Sequence, residues 1–519
     1  MSEPSDVSRR TLLTAIGLAG AGTAAAGATV AGSTPASAAP KATASAAGAQ
    51  VGNNPVPVPP VSGLHLQFGD NPATEMTVSW HTRQPVADPL VLLIREGSGK
   101  VVTTKANVKT YTDAKSGEIV YAQHAPVSRL RPDTDYIYAA VHDGAAPQFG
   151  TFRTAPLGRA PFTFTSFGDQ GTPTVGKKYA PPAGVSLDNP PFVNDNLGSP
   201  SAGDTTAGVE RVAPLLHLFN GDLCYANLAE DRVRTWQDFW TNNTRSARNR
   251  PWMPSPGNHE NELGNGPIGY QAYQTYFSLP QAAGQTDVTD GLWYAFTVGS
   301  VRFLSLANDD VCYQDGGNSY VRGYSDGAQK AWLERELRRT RKDNTIDWIV
   351  VCMHQVAMST ANNFNGADLG VRQEWLPLFD KYGVDLVVMG HEHHYERTLP
   401  VRGHADNQTL TPIPRATNTD VINTELGTVH MIIGGGGTSA PSNQLLFDPP
   451  QCRVIVSVGA PDPTTGKRPP NYVYEADAPW SASRDKAQAY GFAAFEVDPG
   501  HVRGGRTKIT VTYYEVVGT

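Results

Sequence analysis

The chain has 519 residues, of which 39% are hydrophobic and 18% are charged. It is longer than one ordinary domain, and its composition is typical of a globular protein with a sizeable core, which excludes a wholly disordered chain. The 42 Lys and Arg against 49 Asp and Glu give a formal charge of −7 without any basic run, which argues against a protein that coats nucleic acid.

Residues 1–38 are predicted to be a targeting segment. Arg9 and Arg10 precede a weakly hydrophobic stretch rich in Ala and Gly, and Ala36-Ser37-Ala38 fits a small-x-small cleavage signal. The pattern resembles a twin-arginine signal, whose route carries folded proteins. We therefore expect an exported protein, either released or kept at the cell envelope, with no membrane span after cleavage of the signal.

Residues 39–62 are predicted to be a linker, because they are rich in Ala, Ser and Pro. Residues 63–155 then contain short extended runs separated by turn signals, and six or seven such strands predict a β-sandwich. The predicted strands are 64–68, 76–81, 90–94, 119–123, 136–141 and 149–151. Residues 130–136 resemble the tyrosine corner of fibronectin type III modules, and we expect this all-β domain to serve for support or docking.

Strands and helices alternate in residues 160–519, which predicts a catalytic α/β (α+β) domain with helices covering the sheets and with two strands near the C-terminus. The predicted strands are 162–167, 215–219, 301–306, 348–353, 386–389, 492–497 and 508–514, and the predicted helices are 326–340 and 371–382. Residues 171–208 are predicted to form either a variable surface loop or a lid. The four glycines at 434–437 are interpreted as a tight turn, because no Lys and no helix signal follow them.

Five short polar segments stand where predicted strands end. They are 168–171, 221–225, 257–260, 351–354 and 390–393, and their candidate metal ligands are Asp169, Asp222, Tyr225, Asn258, His354, His391 and His393. The carboxyl ends of strands in α/β sheets converge on one crevice, so these side chains are expected to meet in space. In four segments a glycine precedes the Asp, Asn or His, which lets the backbone turn sharply beside an ion.

Each candidate is weak alone, because an Asp after a strand is most often a turn former or a helix cap. Together they provide seven oxygen and nitrogen ligands and no thiolate, a set that suits two iron, zinc or manganese ions. A carboxylate such as Asp222 can bridge two cations, and such a pair polarises a phosphoryl oxygen, activates water and stabilises the leaving oxygen. The sequence therefore predicts hydrolysis of phosphate esters.

The order of these motifs resembles the calcineurin-like metallophosphoesterases, and Tyr225 narrows the resemblance to the purple acid phosphatases. The resemblance covers roughly residues 60–440 and implies a metallophosphoesterase β-sandwich flanked by helices, preceded by a fibronectin III-like sandwich. It implies that Asp169, Tyr225 and His393 bind a ferric ion. It also implies that Asn258, His354 and His391 bind a second ion, which is zinc, manganese or ferrous iron, and that Asp222 bridges the two. The attacking group would be a metal-bound hydroxide.

Further residues are predicted to contact the substrate. By the same resemblance His259 faces the substrate, where it would bind phosphate or protonate the leaving group, and the alternative is a supporting group that orients a ligand. Plant-type members carry further histidines after the ligand that corresponds to His354, whereas residues 355–370 contain none. We therefore consider His394, Asn308 or Asn363 as substitutes that contact the substrate.

Three functions agree with these observations. The leading one is an exported phosphatase that acts on small-molecule phosphomonoesters. The nearest alternative is a phosphodiesterase or nucleotide hydrolase with the same metals, and a third is a catalytically dead cell-surface binding protein. The four cysteines are compatible either with disulfides or with small buried hydrophobic residues, and the sequence leaves the oligomeric state and the pH optimum open.

Overall fold

The computed structural model describes residues 58–173, 197–500 and 506–516. The predicted leader and most of the predicted linker lie outside these residues. In the part of the chain that the structure describes, no helix is long and apolar enough to cross a membrane.

The first part of the chain is a β-sandwich, called here the front sandwich. Its strands are β1 (Ser62–Phe68), β2 (Met76–Thr82), β3 (Leu90–Arg95), β4 (Val101–Lys105), β5 (Asn107–Thr112), β6 (Ile119–Val127), β7 (Asp135–Val141) and β8 (Gln148–Arg153). They form two antiparallel sheets in the orders β1-β2-β6-β5 and β4-β3-β7-β8. All six predicted strands are present. The Tyr136 hydroxyl accepts a hydrogen bond from the Arg131 backbone N–H at 2.9 Å, as the corner motif suggested.

The rest of the chain builds a second, larger β-sandwich. Its strands are β9 (Phe162–Phe167), β10 (Leu216–Asn220), β11 (Trp252–Ser255), β12 (Tyr294–Val298), β13 (Val301–Ser305), β14 (Trp348–Cys352), β15 (Ala367–Asp368), β16 (Leu386–Met389), β17 (Tyr395–Thr398), β18 (Val401–His404), β19 (Pro412–Pro414), β20 (Val429–Ile433), β21 (Cys452–Val458), β22 (Pro470–Glu475), β23 (Ser481–Arg484), β24 (Gly491–Asp498) and β25 (Lys508–Glu515). A five-stranded sheet has the order β11-β10-β9-β24-β25, and a seven-stranded sheet has the order β12-β13-β14-β16-β20-β17-β23. The predicted fold class is therefore confirmed.

Aromatic side chains fill the space between the two large sheets. Phe164 of the five-stranded sheet meets Phe303 of the seven-stranded sheet edge to face at 5.1 Å and stacks on Phe495 at 4.5 Å between ring centroids. All three rings are buried. Each such pair contributes about 0.5–1.5 kcal/mol beyond the burial of its area. The pair of Phe164 and Phe303 spans the two sheets and helps to hold them face to face, whereas Phe164 and Phe495 lie on neighbouring strands of one sheet.

The helices cover the outer faces of the sheets. They are α1 (Ser201–Val212), α2 (Arg232–Ala247), α3 (Gln271–Tyr276), α4 (Ala328–Thr340), α5 (Leu369–Glu374) and α6 (Leu376–Tyr382). The predicted helix 371–382 is in fact two helices that meet at Trp375. Pro377 lies in the first turn of α6, and its lack of a backbone N–H explains why one helix does not continue through this point.

Helix α1 corrects the prediction of a loop over 171–208. Its first residues lie against the glycine turn, because a Cβ on Gly437 would approach the Ala202 Cα to 2.4 Å, and the Thr205 hydroxyl donates to the Gly436 carbonyl at 2.6 Å. Small side chains allow this close approach. The other part of the predicted loop, 174–196, lies outside the described residues.

The front sandwich packs on α2 and α3 through buried histidines. The His65 ring stacks on Trp240 with centroids 3.9 Å apart, and His124 Nε2 lies 2.9 Å from a carbonyl of α3, that of Thr275. The ring of His81 meets Tyr276 edge to face at 5.2 Å.

All four cysteines, which lie in the described residues, are free and buried, so they behave here as small hydrophobic residues.

Candidate metal centre

All seven candidate ligands lie at the carboxyl ends of strands, where two sheets meet. Strands β9, β10 and β11 are parallel, and so are β13, β14, β16 and β20. The five-stranded sheet leads into Asp169, Asp222, Tyr225 and Asn258, and the seven-stranded sheet leads into His354, His391 and His393. All seven side chains are buried. The crevice predicted at the strand ends is therefore formed by both sheets together.

Asp169, Tyr225 and His393 form the first of two groups of donors. The Tyr225 hydroxyl lies 3.2 Å from Asp169 Oδ1 and 3.1 Å from His393 Nε2, and His393 Nε2 lies 3.2 Å from Asp169 Oδ1. Burial raises the pKa of the Tyr225 hydroxyl well above its ordinary value, and the nearby Asp169 carboxylate raises it further. A phenolate would therefore form here only beside a cation.

Asp222, His354 and His391 form the second group, with one ligand atom from each lying within 4.8 Å of the others. His354 Nε2 is 3.0 Å from Asp222 Oδ2 and 3.2 Å from His391 Nδ1. The two groups are connected, because the His391 backbone N–H donates to Asp169 Oδ2 at 2.8 Å.

The three histidines of the site each have an outer ring nitrogen that faces an oxygen acceptor. The contacts are His354 Nδ1 to the Asn220 carbonyl at 2.7 Å, His393 Nδ1 to the Ala440 carbonyl at 2.6 Å, and His391 Nε2 to Gln314 Oε1 at 2.5 Å. A neutral imidazole carries a single N–H, so each ring uses its proton on the outside. If the rings are neutral, the inner nitrogens are lone pairs. Those of His354 and His391 face each other, that of His354 also faces Asp222, and that of His393 faces Asp169 and the Tyr225 hydroxyl.

Such an arrangement requires a positive charge inside the cluster. Burial lowers the pKa of His354, but the Asp222 and Asp169 carboxylates outweigh this effect and raise it to about 10. Asn258 Oδ1 is buried, and no group among the described residues donates to it. Nitrogen, carboxylate, phenol and amide donors of this kind suit iron, zinc or manganese, so the residues present fit a dinuclear metal centre.

Several candidate ligands have a strained backbone conformation, as residues in functional regions often do. Asp169, Asp222, Tyr225 and His391 adopt the left-handed conformation, with φ of 59°, 52°, 58° and 70°. This region is uncommon for residues other than glycine and costs of the order of 1–3 kcal/mol for each residue. Four of the seven candidate ligands are therefore held in conformations that the surrounding structure must enforce.

Glycines allow the candidate ligands to crowd together. A Cβ on Gly390 would lie 2.3 Å from Asp169 Oδ2, and a Cβ on Gly257 would lie 2.3 Å from Asp222 Oδ1. One on Gly221 would lie 2.6 Å from His354 Nδ1. The glycines that precede the candidate ligands are therefore needed for close approach between neighbouring loops, in addition to the sharp turn expected from the sequence.

His259 lies beside the second group, at the edge of the cluster. Its Nδ1 faces Asn227 Oδ1 at 2.8 Å, its Nε2 is 3.9 Å from Asp222 Oδ2, and 12% of its side chain is exposed. Burial lowers the pKa of this imidazole. This exposure distinguishes His259 from the candidate ligands Asp222, His354 and His393, whose side chains are 2%, 0% and 7% exposed.

The structure disfavours two of the predicted substrate contacts. His394 is fully buried, and its ring nitrogens face Ser442 Oγ at 2.8 Å and Glu396 Oε2 at 3.2 Å. Asn308 is also fully buried, and its Oδ1 accepts from the backbone N–H of His354 at 2.7 Å. Their polar atoms are already engaged, so both residues shape the loops that carry ligands. Asn363 is exposed and remains a candidate.

Sequence reasoning missed the residue that joins two of the ligand loops. Glu260 accepts backbone hydrogen bonds from Asp222 at 2.9 Å, Leu223 at 2.8 Å and Gly257 at 2.7 Å. Burial and the Asp222 carboxylate raise the pKa of Glu260 to about 8. Its position directly after His259, inside a candidate motif, was the signal that could have identified it.

Comparison with known proteins agrees with this geometry. A family model described as the N-terminal domain of purple acid phosphatase matches residues 61–154, and one described as calcineurin-like phosphoesterase matches residues 203–395. An uncharacterized protein of Mycobacterium tuberculosis is 60% identical over 460 residues, covering 89% of this chain and 85% of that protein. A purple acid phosphatase of Glycine max is 27% identical over 386 residues, 72% of each chain.

Among solved structures, a purple acid phosphatase from yellow lupin seeds has the same fold, with a TM-score of 0.60 and 20% sequence identity over 89% of this chain and 73% of that chain. Fold and site together define a calcineurin-like, metal-dependent phosphoesterase. Within that class the chain belongs to the purple acid phosphatase family, as the sequence motifs predicted, and it is a phosphatase. The family implies a dinuclear metal centre and small-molecule phosphate esters as substrates.

Proposed function

We propose that this protein is an exported phosphatase that hydrolyses phosphomonoesters with two metal ions. The observation that carries the proposal is the set of three buried histidines whose outer nitrogens face oxygen acceptors and whose inner nitrogens converge on one another and on two carboxylates. Two buried carboxylates and three imidazoles packed this closely need a positive charge among them. Without a metal ion the proton of His354 supplies it, and metal ions would replace that proton.

The two groups of donors indicate which residues would hold each ion. Asp169, Tyr225 and His393 would hold a ferric ion, because a phenolate is a hard ligand. Asn258, His354 and His391 would hold zinc, manganese or ferrous iron, with Asp222 between the two ions. When bound, the ions polarise a phosphoryl oxygen, lower the pKa of water and stabilise the leaving oxygen.

His259 is proposed to act on the substrate. With its Nδ1 proton directed to Asn227, the ring is held with Nε2 free. In the protonated ring Nε2 would donate either to a phosphate oxygen or to the oxygen of the leaving alcohol. Loss of this donor should reduce kcat most for esters with poor leaving groups, because those depend most on protonation of the departing oxygen.

The test compares a chromogenic phosphomonoester with the matching diester in the metal-loaded protein, with Asp222→Asn as the control. Faster cleavage of the monoester, abolished in the variant, is the expected result. Preferential cleavage of the diester would replace the proposal with a phosphodiesterase. Absence of cleavage of both esters would leave the binding-protein hypothesis.

The nature of the ions and the export of the protein have their own tests. A ferric ion on Tyr225 should give a visible charge-transfer band that disappears in Tyr225→Phe, and a colourless iron-loaded protein would contradict the assignment.

For export, changing Arg9 and Arg10 to Lys should retain the precursor inside the producing cell. Unaltered secretion of that variant would exclude the twin-arginine route.

A further inference from the structure

Two amide side chains enclose His391 from outside the cluster. Gln314 Oε1 faces His391 Nε2 at 2.5 Å, Gln314 Nε2 donates to Asn365 Oδ1 at 2.8 Å, and Asn365 Nδ2 donates to the His391 carbonyl at 2.5 Å. The three residues thus form a closed ring of hydrogen bonds, here called the amide clamp. It holds both the imidazole and the backbone of His391.

The amide clamp is itself firmly anchored. The Gln314 backbone N–H donates to Asp368 Oδ2 at 2.9 Å, and the fully buried Asp368 carboxylate also accepts from the backbone of Tyr313 and Gly370. Next to Asn365, the Gly366 backbone N–H donates to Glu392 Oε1 at 2.5 Å. The backbone segments that carry both amides are therefore held in place by hydrogen bonds to buried carboxylates.

His391 differs in this respect from the other two histidines of the site. His354 and His393 direct their outer N–H to backbone carbonyls, those of Asn220 and Ala440. No side-chain substitution removes a backbone carbonyl. Only His391 relies on a side chain for the acceptor that fixes its tautomer and its ring orientation.

We propose that Gln314 and Asn365 are positioning residues that keep Nδ1 of His391 free for the second ion and thereby set the affinity of the site for that ion. The inference depends on the proposed function for the location of this ion. Partners of this kind hold a ligating imidazole in place, and removing one typically costs about 10- to 100-fold in metal affinity. A change in a single side chain of the amide clamp should therefore alter the affinity for the second ion without altering the affinity for the first.

The experiment uses full-length protein loaded with iron and zinc. Zinc release to a chelator is followed by metal analysis, and the visible band assigned to Tyr225 reports the first ion. Gln314→Leu is expected to release zinc about 10- to 100-fold faster with the band unchanged. Asn365→Ala should show a smaller acceleration, because it leaves the acceptor of the imidazole in place. The matched control is Gln281→Leu, which removes an exposed glutamine whose Nε2 donates to Asp290.

Gln314→Glu gives His391 a charged acceptor but removes the N–H that Gln314 donates to Asn365 Oδ1, a bond that Asn365→Ala also lacks. Zinc release should therefore be slower from Gln314→Glu than from Asn365→Ala. If the leucine variant does not fold, equal rates in these two variants would overturn the inference. Wild-type zinc release from Gln314→Leu, or equal loss of zinc and of the band, would also overturn it. None of these readouts needs turnover, so a protein that cleaves no ester would contradict the proposed function without affecting this result.

Discussion

Two regions of this protein contain groups of buried histidines, and the histidines have different roles in the two regions. At the contact between the front sandwich and the helices, His124 has a partner on both nitrogens, with Nδ1 at 2.8 Å from Ser79 Oγ and Nε2 at 2.9 Å from the Thr275 carbonyl. In the candidate metal centre, His354 has its outer nitrogen on a carbonyl and its inner nitrogen in the cluster.

The difference teaches how to distinguish a ligand from a structural histidine. His124 and His354 are both buried, and each has one carbonyl partner. A histidine of the metal centre is marked by an inner nitrogen that points into the cluster of candidate ligands, as His391 Nδ1 does beside His354 Nε2 at 3.2 Å. The distribution of partners around the ring, and not its burial, therefore identifies the ligand.

The strongest test of this comparison replaces one histidine from each region. His354→Ala should bind less metal and lose at least about 1000-fold in kcat/KM, because the ions contribute several kcal/mol to the transition state. His124→Ala should keep its metal and its activity. It should lose about 1–3 kcal/mol in the free energy of unfolding, because it leaves the buried Thr275 carbonyl without the partner that His124 provides. Metal loss from His124→Ala would remove the distinction between the two regions.

A second test concerns the crowding of the ligand loops. Gly390→Ala places a Cβ against Asp169 Oδ2, so the loop must shift and metal content and kcat should fall by about two orders of magnitude, as when a reacting group is misplaced by about 1 Å. The control is Gly99→Ala in the front sandwich, where a Cβ meets nothing within 4 Å. Full metal occupancy in Gly390→Ala would show that the loops do not need this close contact.

The smallest expected effect is a pH dependence of stability at the contact with the front sandwich. Burial lowers the pKa of His65 to about 4 and those of His81 and His124 to about 3. Below about 6.5 the unfolded chain binds these protons and the folded chain does not, so stability is complete above that pH and falls as the pH approaches 4.

Each such histidine contributes a slope of about 1.4 kcal/mol per pH unit in this window. The ring nitrogens of His81 have no hydrogen-bond partner among the described residues, so His81→Leu should be tolerated. Urea unfolding of the metal-free protein between pH 4.5 and 7 should show a slope that is lower by about this amount in His81→Leu. Equal slopes in the two proteins would mean that His81 does not remain neutral when the chain is folded.

Much of the fold could be predicted, because most strands are short apolar runs between turn signals. Strands β4 and β5 were not predicted, since they are edge strands whose residues are largely exposed and give no apolar alternation. Several strands of the larger sandwich, among them β11, β12 and β21, were not predicted either. Helix α1 was missed because Ser, Thr, Gly and Ala have little apolar periodicity and, apart from Ala, low helix propensity. Its stability comes from close packing against the glycine turn, which only the three-dimensional structure reveals.

The site was predicted in outline for a similar reason. A glycine followed by Asp, Asn or His at the end of a strand is visible in the sequence, and the structure brings these segments together. Gln314, Asn227 and Asn365 could not be identified, because a neutral amide in a loop has no distinguishing pattern. Their significance arises only from the rings that they face, and those contacts depend on residues far away in the chain.

The donors of the site come from both large sheets, and this has a mechanical consequence. Asp169 and Tyr225 follow strands of the five-stranded sheet, whereas His393 follows the seven-stranded one, so an ion held by these three would fasten the sheets to each other. Separating the sheets would then require breaking coordination bonds in addition to exposing the aromatic core. Chelation should accordingly lower the melting temperature of the whole catalytic fold, because ligand that binds only the native state stabilises all of it.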